Sequence, residues 1–264
     1  MNPPESCGTI SILACDEHLA IIDKPPAMLT HANSFDRHSP TVVNVLGSRL
    51  GRVYNVHRLD RMTTGAMVVA RTPEAASELS RQLRDREVLK RYVAVVRGHV
   101  DDQGCVTVPI DHPSHGEEME ARTDYRALGR GRIAEPIGRY GEGWLSLVEL
   151  TLHTGRSHQA RRHMKRIDHP VIGDNKHGDK SYNRLVASRL GERHLYLRAH
   201  ELRFRHPESG VDIHIRLGLP DLWIALTGWA GITVPPELLA APGAANVQSG
   251  TTGAPSGVDG IAGV

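Results

Sequence analysis

The sequence predicts an α+β fold, a single domain with a mixed, largely antiparallel sheet, short helices on its flanks and a cleft across it. Three observations predict this fold. Short apolar runs typical of strands recur along the chain, and only a few segments with helical spacing separate them. The length of 264 residues is enough for an ample core. From residue 235 the composition shifts to Ala, Gly, Ser, Thr and Pro, so we expect a domain at 8–234 and a disordered tail at 235–264.

Composition and charge exclude several classes of protein. No apolar run approaches the roughly 20 residues of a membrane helix, the N-terminus lacks a signal-peptide pattern, and three distant cysteines form no disulfide framework, so we expect a cytoplasmic protein. The net charge is only +2, so any nucleic-acid binding has to come from local clusters. The 16 histidines are scattered, and His153, His158 and His163 do not share a helix face, so we expect no metal site.

The elements of the first third follow from local patterns. Residues 10–15 and 19–23 read as two strands, which the run 24–26 ends because proline cannot donate to a β-ladder. Residues 30–40 are a polar loop, and apolar residues near helical spacing predict a short helix at 41–50.

The stretch 54–69 holds two apolar runs that predict strands and a polar turn between them. Asp60 lies in this turn between two arginines. We expect Thr63 and Thr64 to bond the backbone of the turn and Gly65 to allow its torsions. An aspartate held in this way is either a cap for backbone N–H groups or a candidate catalytic group.

A helix is predicted at 72–86 because Thr72-Pro73 is a good start signal and apolar residues follow at helical spacing. We interpret its exposed face as solvated, with Glu78, Arg81, Arg84 and Asp85. A strand with a basic entry follows at 90–98. Its Tyr92, taken alone, is typical of a core tyrosine.

The second half alternates further strands with two helices. Strands are predicted at 105–110, 121–127, 144–152, 194–206 and 212–216, with a glycine-rich hairpin tip at 129–143. One helix begins near Ser157 and another spans 220–227. The first of them gathers Arg162, Lys165 and Arg166 into a basic ridge, which is either a solvated face or a phosphate contact.

Three strings resemble, in the right order, the motifs of the RluA-type RNA pseudouridine synthases. They are His-Arg-Leu-Asp-x-x-Thr-x-Gly at 57–65, Lys-Arg-Tyr-x-Ala-x-Val-x-Gly at 90–98 and Gly-Arg-x-His-Gln-x-Arg-x-His at 155–163. The resemblance covers roughly 12–216. It implies that Asp60 is the catalytic nucleophile or base, that Tyr92 lies against the target base and that Arg161 pairs with Asp60.

The region after the third motif resembles the TruC-like branch, which modifies a uridine low in the T stem of tRNA. The resemblance therefore implies tRNA as the partner, with the loops 30–40 and 177–184 in contact with it. Many relatives carry an N-terminal RNA-binding domain, and we expect none here. Where the family commonly has Leu-His-Ala, this chain has Leu197-Arg198-Ala199. Arg198 either replaces a structural histidine or contacts phosphate.

The implied reaction is an isomerisation, so it needs no cofactor and no metal, and we expect the enzyme to act as a monomer that flips its target base out of the stack. The resemblance and the charge pattern together give the candidate RNA-binding residues: Arg58, Arg61, Lys90, Arg91, Arg156, Arg162, Lys165 and Arg166. Arg58 is well placed to fill the gap that the flipped base leaves.

Three alternatives stay open. A synthase of the same type can act on ribosomal RNA instead of tRNA. An RNA-binding protein on the same fold can have lost catalysis, although the presence of Asp60, Tyr92 and Arg161 argues against this. An aspartate-nucleophile hydrolase of a small molecule would need a second carboxylate or an activated water, and the sequence near Asp60 offers no partner acid.

Overall fold

The computed structural model describes residues 10–32, 39–112, 116–138 and 141–239, and the backbone of 248–249. Within these residues the helices are α1 (Val42–Leu50), α2 (Pro73–Arg84), α3 (Gln159–Arg166), α4 (Lys180–Leu190) and α5 (Asp221–Trp229). The strands are β1 (Ser11–Cys15), β2 (Leu19–Lys24), β3 (Tyr54–Asn55), β4 (Thr64–Ala70), β5 (Leu89–Arg97), β6 (Gln103–Val106), β7 (Ile110–Asp111), β8 (Glu118–Met119), β9 (Thr123–Ile133), β10 (Gly143–Leu152), β11 (Leu197–Arg205), β12 (Asp212–Arg216) and β13 (Gln248–Ser249).

Eleven of these strands form one sheet. Its central order is β1-β2-β4-β11-β5-β10-β9-β6, with β3 on β4, β12 on β11 and β13 on β12, while β7 and β8 form a separate hairpin. The pairing of β4 with β11 is parallel and the other described pairings are antiparallel. The predicted α+β fold with a mixed, largely antiparallel sheet is therefore confirmed.

Both faces of the sheet are covered, which explains why all seven residues of β4 are buried. On one face, α1 and α3 pack their apolar residues against Met67 and Val69 of β4 and Ala94 of β5. On the other face, α2 packs over Val68, and α4 and α5 pack over Val93. The alternation along β5 thus separates two surfaces, and the first of them carries the cleft that holds Asp60, described below.

The parallel contact between β4 and β11 depends on the glycine that ends the polar turn. Gly65 has φ +114°, and a Cβ atom there would lie 2.1 Å from the carbonyl oxygen of Ala199. No larger residue fits without moving β11 away from β4. Gly65 therefore serves a close approach between strands as well as the turn torsion that the sequence predicted.

Four of the five helices were predicted, and α4 was not. The sequence predicts a loop at 177–184, yet the first turn of α4 occupies the second half of that range. Asp179 caps α4 by accepting hydrogen bonds from the backbone of Ser181 and Tyr182, and Gly191 ends it in the left-handed conformation. These cap signals were present in the sequence. The apolar residues Tyr182, Leu185, Val186 and Leu190 also follow helical spacing and pack into one cluster, so both kinds of signal for α4 were present in the sequence.

Two predicted segments lie partly outside the described residues. In the polar loop 30–40, residues 33–38 are not described, and in the tail only 235–239 and the backbone of 248–249 are. Pro236–Leu238 form a 3₁₀ turn whose Leu238 is buried with the α5 cluster, so packing continues past residue 235. The prediction of disorder for the remainder stays a prediction. No helix in the described part combines the length and apolar character that crossing a membrane requires.

Arg198 is a structural residue. Its side chain is 3% exposed and donates two hydrogen bonds to Asp23, at 3.1 and 2.6 Å, and a third to the carbonyl of Gly218. The pair ties β2 to β11 across the intervening β4. Of the two roles left open for Arg198, the buried geometry excludes a phosphate contact.

Arg198→Ala should lower the free energy of unfolding by about 3–5 kcal/mol, because it strands the carboxylate of Asp23 in a largely buried site. The measurement is urea unfolding at neutral pH. Arg203→Ala on the same strand is the matched control, since Arg203 and Asp212 are 56% and 52% exposed and such pairs contribute about 0–1 kcal/mol. Equal losses in the two variants would contradict the assignment.

Candidate active-site cleft

A cleft of about 440 Å³ opens on the face of the sheet that carries α1 and α3. Its walls come from the turn between β3 and β4, from the start of β5 and from the connection of β10 to α3. The three strings singled out in the sequence supply most of these walls. Asp60, Tyr92 and Arg161 all line the cleft.

The turn that carries Asp60 is held from beneath by Lys24. The buried ammonium group donates to the backbone carbonyls of Pro25 (3.0 Å), Arg61 (3.0 Å) and Thr63 (2.9 Å). Burial lowers the pKa of Lys24 to about 8, and the charges of Asp60 and Asp23 oppose that shift. The backbone N–H of Thr63 donates to the carbonyl of Asp60 at 3.0 Å and closes the turn.

The expectation that Thr63 and Thr64 bond the backbone of this turn is wrong. Both hydroxyl groups are buried and have no hydrogen-bond partner among the described residues. The turn is held instead by the ammonium of Lys24, which donates to the carbonyls of Arg61 and Thr63. Because Lys24 lies 39 residues before Thr63, the local pattern did not reveal its role in holding the turn.

The carboxylate of Asp60 is joined to α3 through a shared guanidinium. Arg161 donates from Nη1 to Asp60 at 3.0 Å and forms two hydrogen bonds of 2.7 Å with Asp174. Asp174 is fully buried and also accepts the backbone N–H groups of Lys176 and His177. Burial opposes the charge of Arg161, but the two carboxylates outweigh it and raise its pKa above the ordinary value. Asp60 is 19% exposed and so stays reachable from the cleft.

His158 lies beside Asp60, and His177 contacts His158; neither histidine was given a role in the site from the sequence. Nε2 of His158 is 3.9 Å from the Asp60 carboxylate, and its Nδ1 is 3.1 Å from Nε2 of His177. Burial lowers the pKa of His158, which the charge of Asp60 opposes, and burial lowers that of His177 to about 4. Both rings are therefore neutral at pH 7. His158 has φ 54°, an unusual torsion for a residue other than glycine.

The alternation of β5 decides which of its polar residues reach the cleft. Lys90 and Tyr92 line it, whereas Arg91 lies on the opposite face and pairs with Glu201 at 3.1 Å. Tyr92 is 9% exposed, and burial, followed by the charge of Asp60, raises the pKa of its hydroxyl. Burial also lowers the pKa of Lys90.

The other predicted RNA-binding residues divide into two groups. Arg58 lines the cleft and is exposed, and Lys165 and Arg166 are exposed on the last turn of α3. The remaining three have protein partners: Arg61 donates to the carbonyl of Ala27, Arg156 to that of Glu120, and Arg162 pairs with Asp111 at 2.9 Å. The first group is thus the better placed to meet an anion.

One cluster of potential metal ligands occurs among the described residues, on the face opposite the cleft. Glu149, His200 and Glu201 bring their ligand atoms within 4.8 Å of one another. The carboxylates already have cationic partners, since Arg126 pairs with Glu149, and Arg91 and Arg216 pair with Glu201. A metal ion would find no uncompensated negative charge there, so these residues do not fit a metal.

Comparison with known proteins places the chain among RNA-modifying enzymes. The family described as RNA pseudouridylate synthase matches residues 18–166. The tRNA pseudouridine synthase C of Pasteurella multocida (strain Pm70) is 36% identical over 83% of this chain and 95% of its own length. The protein of the same name from Pectobacterium carotovorum subsp. carotovorum is 38% identical over 86% of this chain. The match covers 64% of the length of that longer relative.

Solved structures agree in fold. The human RNA pseudouridylate synthase domain containing 1 structure is 25% identical, with a TM-score of 0.65 over 84% of this chain and 89% of its own. Human RNA pseudouridylate synthase domain containing 4 superposes with a TM-score of 0.66 over 85% and 94% of the two chains at 24% identity.

His57 should make the protein less stable in mild acid. Its Nε2 accepts the backbone N–H of Val68 at 3.1 Å, and burial, then the charge of Lys90, lowers its pKa to about 3. Between pH 6.5 and about 3 the unfolded chain therefore binds a proton at His57, whereas the folded chain does not. This difference lowers the free energy of unfolding by up to about 1.4 kcal/mol per pH unit as the pH falls. Urea unfolding between pH 7.5 and 5 measures this dependence.

His57→Gln retains an acceptor for Val68 and should make the slope smaller by the contribution of His57, while His158, His163, His177 and His194, whose pKa values burial also lowers, keep the remainder. His99→Gln should leave the slope as in the wild type because His99 is exposed. Identical slopes in the two variants would exclude His57 as the cause.

Asp174→Asn should lower the free energy of unfolding by about 3–5 kcal/mol, because the buried guanidinium of Arg161 loses its bidentate partner. The change keeps the shape of the side chain, so the loss reports charge and hydrogen bonding. Asp102→Asn is the control, since Asp102 is 92% exposed in its pair with Arg130 and should contribute about 0–1 kcal/mol. A denaturation midpoint for Asp174→Asn that matches the control would refute the role of the pair.

Proposed function

This chain belongs to the RNA pseudouridylate synthase family, and we propose that it converts one uridine of tRNA into pseudouridine with Asp60 as the reacting carboxylate. The observation that carries this proposal is the state of Asp60. Its carboxylate faces a cleft of about 440 Å³, is 19% exposed and is hydrogen-bonded to a buried guanidinium at 3.0 Å. A reactive group that is both anchored and reachable suits attack on a bound nucleotide.

The reaction breaks the bond between C1′ of the ribose and N1 of uracil, turns the freed base and joins C1′ to C5. C5 loses a proton and N1 gains one, so substrate and product contain the same atoms and no group donor takes part. The carboxylate of Asp60 serves either as a nucleophile or as a base toward the sugar. Both routes use the same anchored oxygen.

Tyr92 is proposed to hold the base while it turns. Its ring forms part of the cleft wall beside Asp60, and a tyrosine face stacks on a pyrimidine with about 1–3 kcal/mol per base. Because burial and the nearby carboxylate raise the pKa of its hydroxyl, the group keeps its proton at neutral pH. Tyr92 can therefore donate a hydrogen bond to the base or to Asp60.

The target base has to leave its stack to reach Asp60, which costs a few kcal/mol. Arg58 lies at the cleft, two residues before Asp60, and is exposed. We propose that it occupies the space that the base vacates. Lys165 and Arg166 on α3, with Lys90 inside the cleft, would contact the phosphates.

The substrate class is supported by the relatives named tRNA pseudouridine synthase C, which match most of this chain. By the resemblance of the region after the third motif, we propose that the target is a uridine low in the T stem. We propose that the protein acts on its RNA as a monomer and in the cytoplasm. The catalytic domain would comprise residues 8–234.

The test is conversion of unmodified tRNA transcripts and, separately, of ribosomal RNA fragments by the purified protein. Asp60→Asn should reduce turnover by more than about 10³-fold, as the loss of other catalytic nucleophiles does, while RNA binding stays nearly intact. Asp212→Asn is the control, because Asp212 is 52% exposed and pairs only at the surface.

Activity of Asp60→Asn near the wild-type level would reassign the reacting group. Pseudouridine in the ribosomal fragments alone would overturn tRNA as the substrate and leave the role of Asp60 standing.

A further inference from the structure

A second groove, of about 400 Å³, runs from the cleft toward the end of α2. The two depressions share Lys90, Leu152, Gly155 and Arg156 in their walls, so they form one continuous surface. The outer part of this groove is built by the turn between α2 and β5, which includes Arg84 and Arg86. A strand of RNA with one nucleotide in the cleft has to leave it along such a surface.

The backbone at Arg86 has a conformation in which an arginine is unexpected. The helix α2 ends in a Schellman motif: the N–H of Glu87 donates to the carbonyl of Gln82 at 2.9 Å, and that of Arg86 to Leu83 at 3.4 Å. Arg86 occupies the left-handed position of this motif with φ 61°. Glycine is strongly preferred there because a Cβ atom is strained at positive φ. A strained side chain in a groove points to a use for that side chain.

The charges around the turn leave Arg84 and Arg86 uncompensated. Arg81 on the same helix binds the three neighbouring carboxylates, those of Glu78, Asp85 and Glu87, at 2.8–3.0 Å. Arg84 and Arg86 are exposed and have no hydrogen-bond or ion-pair partner within the described residues. The turn therefore presents two free guanidinium groups to the groove, and guanidinium groups suit bidentate contacts with phosphate.

We propose that this groove binds the phosphate backbone of the RNA strand next to the target nucleotide, with Arg86 and Arg84 as the phosphate ligands. The inference rests on the proposed function, since it places the target nucleotide in the cleft. It assigns a binding role to Arg84, which the sequence analysis interpreted as part of a solvated face. The contacts read no base, so they strengthen binding without selecting sequence.

The test separates binding from folding, because the two respond in opposite directions at Arg86. Arg86→Gly relieves the positive torsion, so its melting temperature should equal or exceed that of the wild type. Its affinity for an unmodified tRNA transcript, measured by fluorescence anisotropy over a series of KCl concentrations, should fall. The slope of log affinity against log salt should become shallower by about 0.7–0.9, the value for one phosphate contact.

Two further variants complete the experiment. Arg86→Lys keeps a cation at the strained position and should retain most of the affinity and the salt slope. Arg189→Gln removes the same charge from α4, on the opposite side of the sheet where Arg189 stacks over Trp229, and should bind as the wild type does. In the double variant Arg84→Gln with Arg86→Gly, the decrease in the salt slope should be about twice the decrease in Arg86→Gly alone.

Unchanged affinity and slope in Arg86→Gly would overturn the proposal, as would an equal loss in Arg189→Gln. If the wild-type protein binds tRNA through Arg86 but forms no pseudouridine in it, the groove stands and the proposed substrate fails. If the wild-type protein forms pseudouridine in tRNA, and Arg86→Gly binds tRNA as tightly as the wild type does, the proposed substrate is correct and the proposed role of the groove is wrong.

Discussion

The architecture of the cleft depends on one guanidinium shared by two carboxylates. Arg161 holds the fully buried Asp174 through two hydrogen bonds and the partly exposed Asp60 through one. One guanidinium neutralises only one of the two carboxylates, so the trio carries a net charge of −1. The backbone N–H groups of Lys176 and His177 donate to Asp174 and stabilise its negative charge. Asp60 keeps a lone-pair direction open toward the cleft. Asp60, the proposed reacting group, is thus the member of the trio with the fewest internal hydrogen bonds.

The surrounding structure limits the motion of that carboxylate. Lys24 fixes the carbonyls of the turn from below, and Gly65 lets β11 pass close enough to brace the strand that follows. The guanidinium of Arg161 fixes the side chain itself. These constraints come from separate parts of the chain, so folding brings the group into place before any substrate binds. Such preorganisation removes part of the entropy that an oriented reaction would otherwise lose.

Local patterns in the sequence were sufficient to predict the fold class and four helices. The three strings were sufficient to identify residues that line the cleft, among them Asp60, Tyr92 and Arg161. Local patterns were insufficient for partners far along the chain. The Asp60–Arg161 hydrogen bond joins residues 101 positions apart, and only the family resemblance indicated it. Lys24 and Asp174 were given no role in the site from sequence, because a buried ammonium or carboxylate is recognised by its surroundings and not by its neighbours in sequence. The hydroxyls of Thr63 and Thr64 were misassigned for the same reason.

The availability of positive charge is likewise not visible in the sequence alone. The chain is rich in arginine but nearly neutral, so affinity for an anion depends on which cations lack an internal carboxylate. Arg91 and Arg162 lie in basic strings and are paired with Glu201 and Asp111, whereas Arg86 lies in an acidic turn and is unpaired within the described residues. Basic strings therefore predict the amount of positive charge in a segment, while the fold decides where that charge is available. Among the described residues it is available at Lys165 and Arg166 on α3, and along a path from Arg58 in the cleft to Arg84 and Arg86 at the end of α2. The phosphate groups of a bound strand would find cations without internal partners along that path.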